Sequence, residues 1–277
     1  MYRERMSTFT ASDGARLVYT RLGAFTSDPI VVIPGGACRG VDYLEDLAGA
    51  VDERGAVIFH PRGTPTSGGL SNGWWSDADD VVALLDALGL PSADVIAHSA
   101  GTRLALSVAV RFAPRVRRVV QITPPATWLT GTEHDGEAIG RARGESVVDE
   151  ALLSMRTEPA PGQAAFDHHR AIEGPAGYAR WTEREQRHNT VGDWAWDADL
   201  AWFRGIPDDA AARVLAAGVP DVAVIGGADD IYTGREPVHR YAEILGARLI
   251  ELTACGHYPW VEQPDAFRAA VRELLAR

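Results

Sequence analysis

A serine, an acidic pair and a histidine occur in that order along this 277-residue chain, and each follows a short apolar run. Ser99 is the centre of the motif A-H-S-A-G (residues 97–101), whose small residues suit the strand-to-helix turn of a nucleophile elbow. His257 supplies a base for the serine hydroxyl, and either Asp229 or Asp230 supplies a carboxylate that fixes the imidazole tautomer. These positions predict nucleophilic catalysis by Ser99.

Alternating strand and helix patterns must position these side chains. Short apolar runs predict strands at residues 30–33, 56–59, 94–97, 116–122, 222–225 and 248–252. Residues 7–10 and 16–21 flank an Asp-Gly pair, which predicts an antiparallel hairpin. Helical patterns cover residues 41–53, 77–88, 102–112, 208–217, 237–245 and 264–275. The alternation predicts an α/β fold with a mostly parallel sheet and helices on both faces.

The alternation stops in the middle of the chain, which predicts a core made of residues 1–125 and 206–277 with residues 126–205 inserted. Five of the eight tryptophans lie in the insertion, so it can bury aromatic surface. We expect a helical lid over the edge of the sheet that carries the site. The alternative is a small helical subdomain that buries its apolar faces internally. As a lid, the insertion would offer four tryptophans to a substrate: Trp128, Trp181, Trp194 and Trp202.

Several motifs together resemble those of the α/β-hydrolase superfamily, in particular its lidded, proline-iminopeptidase-like branch. I-P-G-G (residues 33–36) resembles the H-G-G oxyanion turn, and H-P-R-G-T-P-T-S (60–67) resembles the D-x-R-G-x-G-x-S loop. Residues 97–106 resemble the elbow and its helix, and G-A-D-D (227–230) resembles the G-x-x-D acid loop. G-H-Y-P-W-V-E-Q-P (256–264) resembles the G-H-x-P-W-x-E-x-P ending. The resemblance covers nearly the whole chain except the insertion.

The resemblance implies a role for each matching residue. Ser99 becomes the nucleophile and His257 the general base and then acid, while Asp230 is preferred to Asp229 as the orienting carboxylate. Backbone N–H groups of Gly36 and Ala100 would form the oxyanion hole.

Three residues near these motifs need separate interpretations. Pro34 replaces the usual His of the oxyanion turn, and His60 replaces the usual Asp of the following loop, so the hydrogen bonds that brace both loops must differ. We expect His60 to be a brace, with a substrate contact as the alternative. His98, beside Ser99, is expected to pack rather than to catalyse.

Composition excludes several classes of function. The formal net charge is −11, there is no lysine and no run of basic residues occurs, which disfavours nucleic acid and anionic membranes as partners. The absence of lysine excludes Schiff-base enzymes, pyridoxal-phosphate enzymes and P-loop nucleotidases. No stretch has the length of a spanning helix, and the first residues lack an apolar signal core, so a cytoplasmic protein is expected.

No cofactor or metal ion is expected from the sequence. Asp167, His168, His169 and His188 could bind a metal, but their spacing does not match a helical pair with a third ligand nearby. The cysteines Cys38 and Cys255 are expected to be buried free thiols.

These observations predict a serine hydrolase that cleaves an ester, lactone or related acyl bond of a small, mostly apolar substrate through an acyl-enzyme; acyl transfer would use the same chemistry. Residues 126–206 carry 14 acids against 8 arginines, which disfavours anionic substrates. The alternative is an aminopeptidase that holds a substrate ammonium with Glu183 or Glu185. A third possibility is a catalytically idle ligand-binding protein, because this fold also hosts receptors.

Overall fold

The computed structural model describes residues 5–24, 26–219 and 221–276. It contains one eight-stranded sheet, and all eight predicted strands are present with ends shifted by at most two residues. The strands are β1 (Arg5–Thr10), β2 (Arg16–Leu22), β3 (Ile30–Ile33), β4 (Ala56–His60), β5 (Ala93–His98), β6 (Val116–Ile122), β7 (Val222–Gly227) and β8 (Arg248–Leu252). Their order in the sheet is β1-β2-β4-β3-β5-β6-β7-β8. The first two strands pair antiparallel with their neighbours and all other pairs are parallel, so the predicted α/β architecture is confirmed.

Twelve α-helices occur in the described residues, and the five predicted at residues 77–88, 102–112, 208–217, 237–245 and 264–275 are among them. They are α1 (Ala78–Ala87), α2 (Gly101–Arg111), α3 (Thr127–Thr130), α4 (Gly136–Arg143), α5 (Ser146–Ser154), α6 (Gln163–Glu173), α7 (Glu183–Asn189), α8 (Trp196–Trp202), α9 (Ala210–Ala217), α10 (Glu236–Leu245), α11 (Pro259–Glu262) and α12 (Pro264–Leu275). None of these described helices is long and apolar enough to cross a bilayer.

Two hydrophobic cores enclose the sheet, one on each face. Apolar residues of α1, α2, α9 and α10 pack on one face, where Leu84, Leu104 and Tyr241 are fully buried. On the other face, α12 contributes Phe267 and Val271. Because the parallel strands are buried on both faces, their sequences are continuous apolar runs.

Residues 41–53 do not form the predicted helix. The structure has two short 3₁₀ turns there, Val41–Leu44 and Leu47–Gly49. The backbone has a positive φ at Glu45 between them (49°) and at Leu47, where the second turn begins (51°). This bend buries Tyr43, whose hydroxyl accepts a hydrogen bond from the Gly35 amide at 2.6 Å. Tertiary contacts therefore outweigh the helical pattern in this segment.

The predicted insertion contains α3 to α8, between β6 and β7. A small hydrophobic cluster joins the insertion to the loop after β7, because Val148, Ala151 and Leu152 of α5 pack against Ala176 and against Ile231 of that loop. Its α6 and the loop before α8 contribute Arg170 and Trp194 to the cavity that contains Ser99. The described helices of the insertion therefore reach the edge of the sheet where the candidate residues lie.

Candidate active site

Ser99 occupies a strained turn between β5 and α2. Its backbone is in the left-handed region (φ 48°), which few non-glycine residues adopt without strong restraint from their surroundings. The restraint comes from both neighbouring elements. The Ser99 amide donates to the Ile122 carbonyl at 2.9 Å, and the Ser99 carbonyl accepts from the Thr102 amide at 2.9 Å and its hydroxyl at 2.6 Å. This is the geometry of a nucleophile elbow.

The turn after β3 packs directly against this elbow. A Cβ on Gly101 would lie 2.2 Å from the Pro34 carbonyl oxygen, and a Cβ on Gly35 would lie 2.7 Å from the Ser99 Cβ. Only glycine allows the two loops to approach so closely. The approach brings Gly36 and Ser99 to the wall of one cavity. Among the described residues, neither the Gly36 nor the Ala100 amide donates an internal hydrogen bond, so both remain free to bind an oxyanion.

The acid and the histidine lie after the next strands. Asp230 follows β7 and His257 follows β8, and the His257 Nδ1 is 2.9 Å from the Asp230 Oδ2. Asp229 makes no side-chain hydrogen bond within the described chain, and its amide donates to the Cys255 carbonyl at 2.9 Å. Of the two adjacent acids, the structure therefore brings Asp230 to His257.

Four donors hold the Asp230 carboxylate in place. Its Oδ1 accepts from the amides of Tyr232 and Thr233 at 2.9 and 3.2 Å. Its Oδ2 accepts from the Thr233 hydroxyl at 2.5 Å as well as from His257. A carboxylate that accepts from Nδ1 fixes the tautomer in which Nε2 is free to act as a base.

A buried hydrogen-bond chain, not identified from the sequence, links the oxyanion turn to the histidine. The His257 carbonyl accepts at 3.0 Å from the His98 Nε2, so this nitrogen carries the proton and Nδ1 accepts from the Tyr43 hydroxyl at 3.0 Å. The same hydroxyl accepts from the Gly35 amide. Burial holds the pKa of His98 well below its ordinary value, so this imidazole is neutral beside His257. The packing role expected of His98 therefore includes positioning two loops.

His60 is a brace, as expected. It is buried, its Nε2 lies 2.8 Å from the Thr20 hydroxyl, and its Nδ1 lies 2.5 Å from the Thr66 hydroxyl. It does not line the cavity that contains Ser99. Burial lowers the pKa of His60 to about 4, so a neutral ring makes these contacts.

Glu262, within the motif at residues 256–264, joins the histidine loop to the insertion. Its carboxylate accepts from the amides of Gly256 at 2.7 Å and Ala179 at 2.8 Å. Burial raises the pKa of Glu262 to about 7. From the sequence, Glu262 could be recognised only as part of a motif. Its hydrogen bonds to two different loops are seen only in the structure.

The cavity at Ser99 has a volume of about 150 Å³. This is smaller than the roughly 300–1,000 Å³ of sites that take drug-sized ligands, so it suits a short substrate. Aromatic and basic side chains dominate its wall. The lining residues are Gly36, Arg39, Tyr43, His98, Ser99, Pro125, Arg170, Trp194, Tyr232, Thr233, His257 and Tyr258.

Of the four tryptophans expected to contact a substrate, the structure brings Trp194 alone to this cavity. Trp128 packs against Trp74 at a centroid distance of 5.3 Å, and Trp202 is 1% exposed within a core of the sheet. Trp181 packs against Tyr178. The aromatic content of the insertion therefore serves mainly to anchor its helices, which sequence composition does not distinguish from ligand binding.

The two glutamates considered for amine binding also lie outside the cavity lining. The Glu183 side chain is 90% exposed and pairs with Arg187. Glu185 is buried, but it closes a capping box with Thr182 at the start of α7. Glu183 is thus a surface residue, and Glu185 stabilises the start of α7.

The charge around the cavity differs from the expectation based on the insertion's net acidity. Arg39 and Arg170 line it, and its lining includes no Asp or Glu in the part of the chain that the structure describes. The excess of acids in residues 126–206 therefore gives a wrong indication of the charge at the site, because a composition counts exposed and site-facing groups alike.

Cys38 and Cys255 are both buried and unpaired. Burial raises the pKa of both thiols, which keeps them protonated and unreactive.

The sequence and the fold match known proteins over most of the chain. Residues 30–270 match the model of the alpha/beta hydrolase family. An N-formylmaleamate deformylase of Pseudomonas putida is 30% identical over 130 residues, which is 44% of this chain and 48% of that protein. The chain thus aligns with about half the length of this curated relative.

Solved structures are similar along nearly the full length. An alpha/beta fold family hydrolase of Bacillus anthracis has a TM-score of 0.74 at 15% identity and is matched over 98% of this chain and 99% of its own. A proline iminopeptidase-related protein of Thermus thermophilus has a TM-score of 0.71 at 19% identity, with 99% and 98% covered. At these identities the likeness concerns the fold. With the family match over residues 30–270, it shows that the chain belongs to the alpha/beta hydrolase family.

Proposed function

We propose that the protein is a serine hydrolase that cleaves an ester, amide or related acyl bond of a small substrate through an acyl-enzyme on Ser99. The observation that carries the proposal is the placement of Ser99 and His257 on one cavity wall, with His257 Nδ1 2.9 Å from the Asp230 carboxylate. A curated relative named as a deformylase and structural neighbours named as hydrolases support the same reaction class.

In this mechanism the Ser99 hydroxyl attacks the substrate carbonyl while His257 Nε2 takes its proton. Asp230 holds the imidazole by Nδ1 and stabilises the imidazolium that forms. The amides of Gly36 and Ala100 donate to the tetrahedral oxyanion; removing one such donor typically costs about 2.7–4 kcal/mol. His257 then protonates the leaving group, and water attacks the acyl-enzyme by the same route in reverse.

We also propose that residues 126–205 form a lid over the active site. The support is that Arg170 and Trp194 from this segment line the cavity together with Ser99 and His257. Trp194 is also fixed to the core, because its Nε1 donates to the Ala37 carbonyl at 3.2 Å. A lid of this kind excludes water from the reacting carbonyl.

A fluorophosphonate probe is expected to label Ser99 and no other serine, because only a hydroxyl with an adjacent general base attacks this reagent at neutral pH. Peptide mapping of the adduct locates the label. The His257→Ala variant is the control and should lose the labelling. Absence of the label from folded protein would favour the catalytically idle ligand-binding alternative, and a label that persists without His257 would contradict the mechanism.

The aminopeptidase alternative requires carboxylates around the substrate ammonium. The cavity lining described above offers two guanidinium groups instead, which repel an ammonium. We therefore expect proline p-nitroanilide to be cleaved no faster than its N-acetyl form. Release of p-nitroaniline measures both. Rapid cleavage of the free amine, abolished by N-acetylation, would restore the aminopeptidase assignment.

A further inference from the structure

Two cationic side chains face the cavity of Ser99 without an acidic partner on its wall. Arg39 and Arg170 line the cavity, and its described lining contains neither Asp nor Glu. The acid of the site, Asp230, is fully buried behind His257. A small cavity with this distribution of charge favours an anionic ligand over a neutral or cationic one.

Arg39 brings a buried positive charge to the cavity and is itself 3% exposed. Its Nε and Nη2 donate to the Val191 carbonyl at 3.0 and 2.5 Å, and its Nη1 donates to the Tyr258 hydroxyl at 3.1 Å. These partners are neutral dipoles, and Arg39 forms no ion pair with any carboxylate that the structure describes. Its charge is thus solvated by the protein but not neutralised.

Arg170, on α6, has donors available for a ligand. Its guanidinium stacks on the Trp194 ring with the Cζ 4.0 Å from the ring centroid. It makes no hydrogen bond within the described residues. Two carboxylates lie on its side away from Ser99: Glu173, whose Oε2 forms an ion pair with Nη1 at 4.0 Å without a hydrogen bond, and Asp199, which interacts with it electrostatically. Stacking occupies a face of the planar group and leaves its in-plane N–H donors for a carboxylate.

The stacking partner of Arg170 is held at both ends. The Trp194 Nε1 donates to the Ala37 carbonyl in the turn after β3, and the Trp194 carbonyl accepts from the Gln163 side chain at 2.8 Å. Gln163 and Arg170 belong to the same helix, α6. The guanidinium is therefore fixed relative to the oxyanion turn, as a specificity group must be.

We propose that the substrate carries a carboxylate a few bonds from the scissile carbonyl, and that this group pairs with Arg170 in the field of Arg39. The proposal deepens the serine-hydrolase function and rests on it. The cavity volume of about 150 Å³ suits short compounds, such as half-esters and half-amides of small dicarboxylic acids or esters of small hydroxy acids.

The competing explanation is that the two arginines stabilise the oxyanion and do not recognise the substrate. A charge that acts on the oxyanion accelerates neutral and anionic substrates alike, because both develop the same negative charge. A charge that recognises a carboxylate changes the ratio of kcat/KM for an anionic substrate to kcat/KM for its neutral analogue. The ratio therefore distinguishes the two roles.

Two pairs of esters test the ratio. Monomethyl succinate and methyl butyrate differ by a carboxylate in place of a methyl group on the acyl side. O-acetylglycolate and ethyl acetate differ in the same way on the alcohol side. We expect kcat/KM to favour the anionic member of at least one pair by about 10- to 100-fold, the range expected for hydrogen bonds to a charged group. Release of methanol or acetate measures both members of a pair.

Variants of Arg170 test whether this residue causes the preference for the anionic ester. Arg170→Gln should reduce the ratio to about one, mainly through KM, while Arg170→Lys should restore part of it because the charge is kept and the planar fork is lost. Arg187→Gln is the matched control, since it removes an arginine from α7 whose side chain is 72% exposed. The control should leave the ratio unchanged.

Binding to the Ser99→Ala protein separates this proposal from the proposed function. Calorimetry on this variant should show that the preferred anionic ester binds at least tenfold more tightly than its neutral analogue, with the difference lost when Arg170→Gln is added. Ratios near one in both pairs, or ratios that Arg170→Gln leaves unchanged, would overturn the carboxylate proposal while leaving the hydrolase intact. A binding preference without turnover by the unmodified protein would instead overturn the hydrolase and support carboxylate recognition.

Discussion

Replacing Ser99 with alanine is expected to lower kcat for an ester substrate by about 10⁶-fold, because the reaction loses its nucleophile and with it the acyl-enzyme. The cavity should persist in this variant. The strained backbone at residue 99 is held by hydrogen bonds to Ile122 and Thr102, and alanine keeps all of them because each uses the backbone of residue 99. Product release at saturating substrate measures the change, and the thermal unfolding temperature verifies that the fold is intact.

The serine and the histidine should behave as one unit. His257→Ala is expected to cost nearly as much as Ser99→Ala, and the double variant should lose little more, since either change alone disables the same step. Ser146→Ala, an exposed serine at the start of α5, serves as the control and should retain full activity. Additive losses in the double variant, or substantial turnover by Ser99→Ala, would contradict nucleophilic catalysis at this residue.

The positions of the candidate triad could be predicted because they depend on local rules. Ser99, Asp230 and His257 each follow a parallel strand, and the carboxyl ends of parallel strands meet at one edge of the sheet. Strand recognition was sufficient to place them, since continuous apolar runs are distinctive when both faces are buried. The choice between Asp230 and Asp229 needed the loop conformation, which turns one carboxylate towards His257.

The basic wall of the cavity could not be predicted because it depends on contacts between distant segments. Arg39 contacts carbonyls about 150 residues away, and Arg170 is positioned by Trp194 across a loop. Tyr43 lies in a segment whose apolar spacing is typical of a helix, yet residues with a positive φ bend the chain so that its hydroxyl reaches Gly35. In each case the sequence shows the residue type, and only the folded chain shows what it faces.

Asp230→Asn is expected to lower kcat by about 10⁴-fold without unfolding the protein, because the amide selects the wrong imidazole tautomer. The neighbouring hydrogen-bond donors fix the orientation of the asparagine side chain. The Oδ1 position receives the amides of Tyr232 and Thr233, which can only donate, so the asparagine oxygen must occupy it. The NH₂ group then faces His257 and donates to Nδ1, which moves the imidazole proton to Nε2 and removes the general base.

Asp229→Asn is the matched control, since it makes the same chemical change one residue earlier. This side chain makes no hydrogen bond within the described residues, and the contact of residue 229 with the histidine loop is its backbone N–H to the Cys255 carbonyl, which asparagine keeps. We therefore expect kcat within a fewfold of the unmodified protein. Because both variants lose one carboxylate from the same loop, a general electrostatic effect would weaken both about equally, whereas a tautomer effect acts through residue 230 alone. The opposite ranking would assign the orienting carboxylate to Asp229 and would require the loop to turn over when substrate binds.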